Sequence, residues 1–87
     1  MEPLYNIIKG KVEAAEFTVT AGSPVLDPPL MELQLKKDVL IAAIIRRGDH
    51  GERSVVIPRG SDTISEGDGV VVVARAMSIK DISDILA

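Results

Sequence analysis

Seven consecutive apolar residues, Val39–Ile45, constrain the fold of this chain more than any other feature. The run is β-branched at both ends and is followed by Arg46 and Arg47. A short apolar run of this kind is typical of an interior strand that is covered on both faces. It is too short to span a bilayer, since a membrane helix needs about 20 residues. It therefore predicts the central strand of a buried sheet.

Alternating polarity predicts another strand upstream of this run. In residues 12–20, Ala15, Phe17 and Val19 share one face, and charged or hydroxyl-bearing residues share the other. Strict alternation is the pattern of a strand with one buried and one solvated face. We therefore expect a half-exposed strand over residues 12–20.

Two more strands are predicted downstream. The turn-forming residues Gly48–Gly51 separate the central run from Arg53–Ile57, which closes at Pro58 because proline cannot donate to a strand ladder. The central run and Arg53–Ile57 are expected to form a hairpin. Val70–Ala74 follows a glycine-rich turn and reads as a further buried strand.

Two helices are predicted from their start signals. Asp27 precedes Pro28 and Pro29, an arrangement typical of a capping residue followed by proline in the first helical turn. Ser78 and Asp81 have the spacing of a capping box. The helix predicted after them has one apolar face, formed by Ile79, Ile82, Ile85 and Leu86.

The predicted order is strand, short helix, three strands and helix, which indicates a small two-layer α/β domain of the α+β class. Residues 11–87 are expected to form this domain and residues 1–10 a lead-in segment, in which Leu4–Ile8 fits either a helix or a strand. A chain of 87 residues buries only about 63% of its surface on folding. Burial of this extent is marginal for an isolated fold.

Charge and composition exclude several classes of protein. The net charge is −3 and the pI is near 5.0, whereas proteins that bind nucleic acid carry a cationic surface. The chain has no cysteine, so disulfides, thiol nucleophiles and cysteine-based zinc sites are excluded. No signal-peptide pattern follows Met1. We expect a soluble chain with no nucleic-acid partner and no cofactor.

Catalytic patterns are sparse. His50 is the single histidine, and with Asp49 and Glu52 beside it a surface metal site or a small hydrolase is one hypothesis, against a solvated turn residue. The acidic residues with any prospect of acid–base chemistry fall on exposed faces or in turns: Glu13, Glu16, Asp62, Glu66 and Asp68. Four arginines flank or follow the predicted hairpin: Arg46, Arg47, Arg53 and Arg59. We expect them to pair with Asp49, Glu52 or Asp62, or else to meet an anionic ligand or an acidic partner.

An ordered set of motifs resembles a known family. In chain order the motifs are Phe17-Thr18-Val19, Gly22-Ser23-Pro24, Leu30-x-x-Leu33-x-Leu35, Val39 to Arg46, Val56-Ile57-Pro58-Arg59-Gly60-x-Asp62-Thr63-Ile64 and Glu66-Gly67-Asp68. Together, from about Lys11 to Ala76, they resemble the C-terminal domain of regulators of potassium conductance, also called the TrkA-C domain. Each motif alone is weak, but the ordered set is specific.

The resemblance implies a function. Domains of this family pair as homodimers and follow a nucleotide-binding domain in cytoplasmic gating subunits of potassium uptake systems, at the inner face of the cell membrane, or form tails on other transporters. It therefore implies a non-enzymatic regulatory domain, and a membrane potassium transporter subunit as partner. The alternative is a ligand-free dimerisation tail of another type of transporter.

The resemblance also implies a site. Some relatives hold a cyclic dinucleotide, cyclic di-AMP, across the dimer axis. The corresponding positions here are Leu35, Lys36, Ile41, Ala43, Ile57 and Pro58. Leu35 and Lys36 depart from the polar and arginine contacts of those relatives, so a different small anionic ligand, or none, is also open.

Overall fold

The computed structural model describes residues 4–8, 12–75 and 79–87. Over these ranges it contains five strands and two 3₁₀ helices. The strands are β1 (Leu4–Ile8), β2 (Val12–Thr18), β3 (Val39–Arg47), β4 (Arg53–Val56) and β5 (Gly69–Arg75). The first 3₁₀ helix spans Leu30–Glu32 and the second spans Ile82–Ile85.

The strands form one antiparallel sheet in the order β1-β2-β5-β3-β4. The last strand in sequence, β5, therefore lies at the centre, where it pairs with β2 and β3. The predicted hairpin of β3 and β4 is confirmed. The segment that fitted either a helix or a strand is a strand, β1, paired with β2.

The core lies on one face of the sheet. Ala15, Phe17 and Val19 are all buried, which confirms the face predicted for β2. The other buried apolar residues come from β3, β5 and the connecting segments: Val25, Ile41, Ile44, Ile64, Val70, Val72, Ala74, Ile79, Ile82 and Ile85. The two 3₁₀ helices and their loops thus cover a single face.

The prediction that Val39–Ile45 is covered on both faces is wrong. Ile41 and Ile44 are buried, but Leu40 is 61% exposed. The register with β5 shifts between Ile41 and Ala43, so Ala42 is an extra residue in β3. Such a β-bulge lets Ile41 and Ile44, three positions apart, both face the core. In the described part of the chain, no layer covers the face of β3 that points away from the core, although its residues are apolar.

Both helices differ from the sequence prediction. The first is one 3₁₀ turn whose N-cap position is Pro29, with no capping side chain. Asp27 has φ +83°, so it forms part of a turn and caps nothing. The helix ends after one turn because Leu33 already has an extended backbone, with φ −75° and ψ 131°.

The second helix is also 3₁₀, and its capping box lies three residues later than predicted. The N-cap is Asp81, whose carboxylate accepts from Ile82 N at 2.8 Å, and the reciprocal residue is Asp84. Ser78, the predicted cap, lies outside the described residues. Ile82 and Ile85 are buried as the predicted apolar face requires.

A polar network fastens the loop before β5 to the sheet. Asp68 is only 5% exposed, and its Oδ2 accepts from Ser65 N at 2.9 Å and from Arg46 Nε at 3.4 Å. Arg46 Nη2 also donates to the Thr63 carbonyl at 2.6 Å. Asp68 is therefore buried, contrary to the prediction of an exposed turn residue.

The arginine partners also differ from the prediction. Arg46 pairs with Asp68, and Arg53 pairs with Glu16 at 3.7 Å. Glu16 reaches across the open face over Gly69, where an added Cβ would lie 3.0 Å from the carboxylate. The acidic residues nearest in sequence are not the partners of these two arginines, because folding of the sheet brings acids from distant parts of the chain beside them.

Candidate functional site: an apolar cleft at the edge of β3

The candidate site forms where β3 loses its neighbour. β4 has four residues and pairs only with Ile44–Arg47. Among the described residues, no strand pairs with β3 on that side from Val39 to Ala43. The chain after β4 continues through Pro58, which has no N–H to donate, and curves away toward the first 3₁₀ helix. An unpaired strand edge is left facing this loop.

A cleft of about 200 Å³ fills the space between the edge and the loop. Its wall is mainly aliphatic and comes from three segments of the chain. The lining residues are Leu30, Met31, Leu35, Leu40, Ile41, Pro58, Arg59 and Gly60. We call this feature the apolar cleft.

Backbone hydrogen bonds fix one side of the apolar cleft. Leu30 N donates to the Asp62 carbonyl at 2.9 Å, and Met31 N donates to the Gly60 carbonyl at 3.0 Å. Asp62 Oδ2 in turn accepts from Arg59 N at 2.7 Å. A Cβ at Gly60 would stand 3.1 Å from Met31 Cβ, so glycine permits the close approach of loop and helix.

Large apolar side chains are exposed at and beside the apolar cleft. Met31 is 68% exposed, Leu40 61% and Ile57 74%. Scattered exposed leucines need no explanation, but contiguous exposed apolar surface next to a cavity is typical of an interaction site. This concentration makes the apolar cleft the strongest candidate site in the described chain.

The charge at the apolar cleft is positive. Arg59 is its single lining cation, and within the described ranges the guanidinium of Arg59 takes part in no ion pair. Lys36, next to the lining residue Leu35, is exposed. The arrangement offers an apolar surface with an available cation at its rim, which suits an amphipathic anion or an apolar partner surface.

The structure brings three of the six predicted site residues together. Leu35, Ile41 and Pro58 line the apolar cleft. Lys36, Ala43 and Ile57 do not, although Lys36 and Ile57 directly follow or precede lining residues. Ala43 is half-buried in β3 opposite Val71, beyond the bulge.

The predicted site did not include Met31, Leu40 or Arg59, although Arg59 was one of the four arginines expected either to pair with acids or to meet an anionic ligand or partner. Leu40 was read as interior because it lies within an unbroken apolar run, which carries no signal for a bulge. The segments that contain Met31 and Arg59 are brought together by the backbone hydrogen bonds from Leu30 and Met31 to the turn at Gly60. The glycine at position 60 was the available signal, since a turn there permits close backbone contact.

Other features are weaker candidates. A second cavity, of about 210 Å³, lies between the turn at residues 20–24 and the start of the second 3₁₀ helix. Its one carboxylate, Asp81, is already occupied by Ile82 N and the Ser83 hydroxyl. His50 is exposed in a turn, where its backbone N–H donates to the Glu52 carboxylate. In residues 4–8, 12–75 and 79–87 no three histidine, cysteine or acidic residues converge as metal ligands.

Among the helices described, none is long and apolar enough to cross a membrane.

Several known proteins are similar to this chain in sequence. The TrkA-C domain profile matches residues 14–87. The Trk system potassium uptake protein TrkA homolog 2 of Methanosarcina mazei is 27% identical over 85 residues, which is 98% of this chain and 18% of that protein. The TrkA homolog of Archaeoglobus fulgidus is 33% identical over 76 residues, which is 87% of this chain and 16% of that protein.

A third relative, TrkA homolog 1 of Methanosarcina mazei, is 29% identical over 77 residues and is covered to the same limited extent, 18%. The chain thus spans less than a fifth of the length of these relatives. The profile, in contrast, covers nearly the whole chain and includes all residues of the apolar cleft. This chain belongs to the TrkA-C domain family.

Proposed function

We propose that this chain is a regulatory domain of a cytoplasmic gating subunit in a potassium uptake system, where it controls cation transport by ligand sensing or dimerisation and not by catalysis. The names of its relatives, TrkA homologs of Trk potassium uptake systems, support the choice of system. Its partners are a second copy of itself and a membrane potassium transporter subunit. Residues 11–87 act as the domain, with residues 1–10 leading into it.

The observation that carries this proposal is the exposed apolar surface around the apolar cleft. Met31, Leu40 and Ile57 are each more than half exposed, and covering such surface contributes about 25 cal/mol per Å². A second copy presents the same surface, so a two-fold arrangement covers both at once. Self-association through this surface also stabilises a domain of marginal size.

The size of the apolar cleft supports a site shared between two copies. At about 200 Å³ it is smaller than the roughly 300–1,000 Å³ of typical small-molecule pockets. Two such clefts facing each other across a two-fold axis reach that range and place two Arg59 side chains on one ligand. A small anion with apolar parts, such as a cyclic dinucleotide, has the matching chemistry.

Regulation follows from a difference in affinity. A ligand that binds one dimer geometry more tightly than another shifts the population toward the first. The shift is transmitted to whatever is attached to the two copies, because the coupling is a free energy shared between sites. No bond needs to be formed or broken in the regulatory domain.

Sedimentation equilibrium of the wild type and of two matched variants tests the self-association. Leu40→Asp puts a charge at the apolar cleft, and Val55→Asp puts one at an equally exposed β4 residue that does not line it. We expect Leu40→Asp to weaken dimerisation by about 100-fold, and Val55→Asp to change it by less than about threefold. Equal affinities for the wild type and Leu40→Asp would contradict the proposal.

Thermal unfolding with cyclic di-AMP and other nucleotides tests the ligand. A ligand that binds only the folded state raises the melting temperature, and Arg59→Ala should remove the rise while the matched variant Arg47→Ala retains it. A dimer whose melting temperature no anion raises would favour the alternative, a ligand-free dimerisation tail.

A further inference from the structure

The end of the chain lies against the segment that supplies Leu35 to the apolar cleft. Leu35 and Leu86 form an antiparallel bridge, outside the five-stranded sheet. Lys36 N donates to the Ile85 carbonyl at 2.8 Å, and Ala87 N donates to the Gln34 carbonyl at 2.7 Å. In the described chain, residues 34–37 make no other backbone hydrogen bond to a distant segment.

This bridge places two leucine side chains together. In an antiparallel pair of this hydrogen-bond pattern, opposite residues project to the same face and their Cβ atoms lie about 4.5–5.5 Å apart. Leu35 lines the apolar cleft, and both Leu35 and Leu86 pack on the core from its margin. Leu86 therefore lies beside Leu35 at the margin of the core.

The terminal segment is itself anchored at its start. Ile85 is fully buried and Ile82 is 6% exposed. Asp84 Oδ2 accepts from Lys80 N and Asp81 N, both at 3.0 Å, which closes the capping box. Leu86 N donates to the Ser83 carbonyl at 3.3 Å and Ala87 N donates to the Gln34 carbonyl, so residues 86 and 87 join this anchor to residues 34–36.

We propose that residues 84–87 form a clip that positions Leu35 and thereby sets the affinity of the apolar cleft for a second copy of the chain. With the clip closed, Leu35 forms a fixed wall of the cleft. With it released, Gln34 and Lys36 lose their backbone partners, and the wall becomes mobile. The clip thus regulates association without contacting the partner, and this inference rests on the proposed function.

The first test removes the clip and retains its anchor. Deleting Leu86 and Ala87 leaves Ile85 in the core, and the matched variant Ile79→Val loosens the same terminal region without touching the bridge. We expect the deletion to accelerate amide exchange at Lys36 and to weaken dimerisation by about tenfold. Ile79→Val should leave both quantities within about twofold of the wild type.

The second test closes the clip covalently. The chain has no cysteine, so Gln34→Cys with Ala87→Cys introduces one unique disulfide between two exposed positions. We expect the oxidised form to exchange the Lys36 amide more slowly than the reduced form and to dimerise at least as tightly as the wild type. This comparison uses one folded polypeptide in two redox states, so it decides the matter even when the deletion does not fold.

The outcomes separate the clip from the proposed function. The clip would be overturned if deletion of Leu86 and Ala87 changed neither the amide exchange of Lys36 nor the NMR chemical shifts of the Leu35 methyl groups. It would also be overturned if Ile79→Val weakened dimerisation as much as the deletion does. Failure of the wild type to dimerise at about 1 mM would instead overturn the proposed self-association. In that case the exchange and methyl measurements still report whether Leu86 positions Leu35.

Discussion

The two ends of β3 differ in how far the rest of the chain pairs with them and covers them. At its C-terminal end, Arg46 donates to Thr63 and Asp68, and β4 pairs alongside, so the chain satisfies its own polar groups. At its N-terminal end, Leu40 is exposed and no described strand pairs with the edge on the β4 side. The closed end contributes stability within one copy, whereas the open end leaves apolar surface exposed.

The largest expected effect comes from breaking the closed end. Asp68→Ala removes the acceptor for Ser65 N and leaves Arg46 without its ion pair, which should cost about 2–3 kcal/mol of unfolding free energy. Urea denaturation measures the loss. Glu66→Ala, an exposed acid two residues earlier, is the control and should change the free energy by less than about 0.5 kcal/mol.

Dimerisation should not follow this loss of stability. Under conditions where Asp68→Ala is still folded, we expect its dimer affinity to match that of the wild type. A parallel fall in affinity would mean that the two ends of β3 are not independent.

A smaller effect is expected at the open end. Gly60→Ala places a Cβ 3.1 Å from Met31 Cβ, so the first 3₁₀ helix must shift by a few tenths of an ångström. We expect about 1 kcal/mol of destabilisation, together with a change in dimer affinity. Ser61→Ala, at the adjacent exposed position, provides the control, and equal behaviour of the two variants in sedimentation and urea denaturation would contradict the packing argument.

The smallest effect depends on pH. Hydrogen bonds from Lys80 N and then Asp81 N, with smaller contributions from the charges of Lys36 and Lys80, lower the pKa of Asp84 below its ordinary value of 3.8. The folded state thus binds the proton less tightly than the unfolded state. The resulting stabilisation is present above pH 3.8 and is lost as the pH falls through the lower folded pKa.

Asp84→Asn should therefore lower the melting temperature near neutral pH and leave it closer to the wild type in strong acid. Melting temperatures of the wild type and Asp84→Asn, measured from neutral pH to strong acid, give the difference. Glu32→Gln, which changes an exposed acid elsewhere, is the control. A constant gap at all pH values would show that the carboxylate charge does not stabilise the second 3₁₀ helix.

Local pattern was enough to predict the strands β2 to β5 and the side of β2 that is buried, but it left β1 open between a helix and a strand. Alternation at Ala15, Phe17 and Val19 reports burial directly, since side chains in a strand alternate between faces. The lengths of the helices were not predictable in this way. Three isoleucines spaced by three residues fit a 3₁₀ turn as well as an α-helix, and proline in the first turn is compatible with either helix at any length.

The site was predictable only where resemblance supplied it. Leu35, Ile41 and Pro58 were assigned by resemblance and do line the apolar cleft, whereas Leu40 was hidden by the uniform polarity of its run. Pairing of Glu16 with Arg53, and of Leu86 with Leu35, depends on register and chain path, which no local pattern encodes.

The extra residue at Ala42 has a consequence for how this domain can change over time. Because it resets the alternation of β3, the segment before it and the segment after it meet the core independently. Substitutions at Leu40 alter the wall of the apolar cleft while Ile44 and its neighbours keep their alignment. The bulge therefore keeps Ile41 and Ile44 in the core on either side of it, while Leu40 stays exposed.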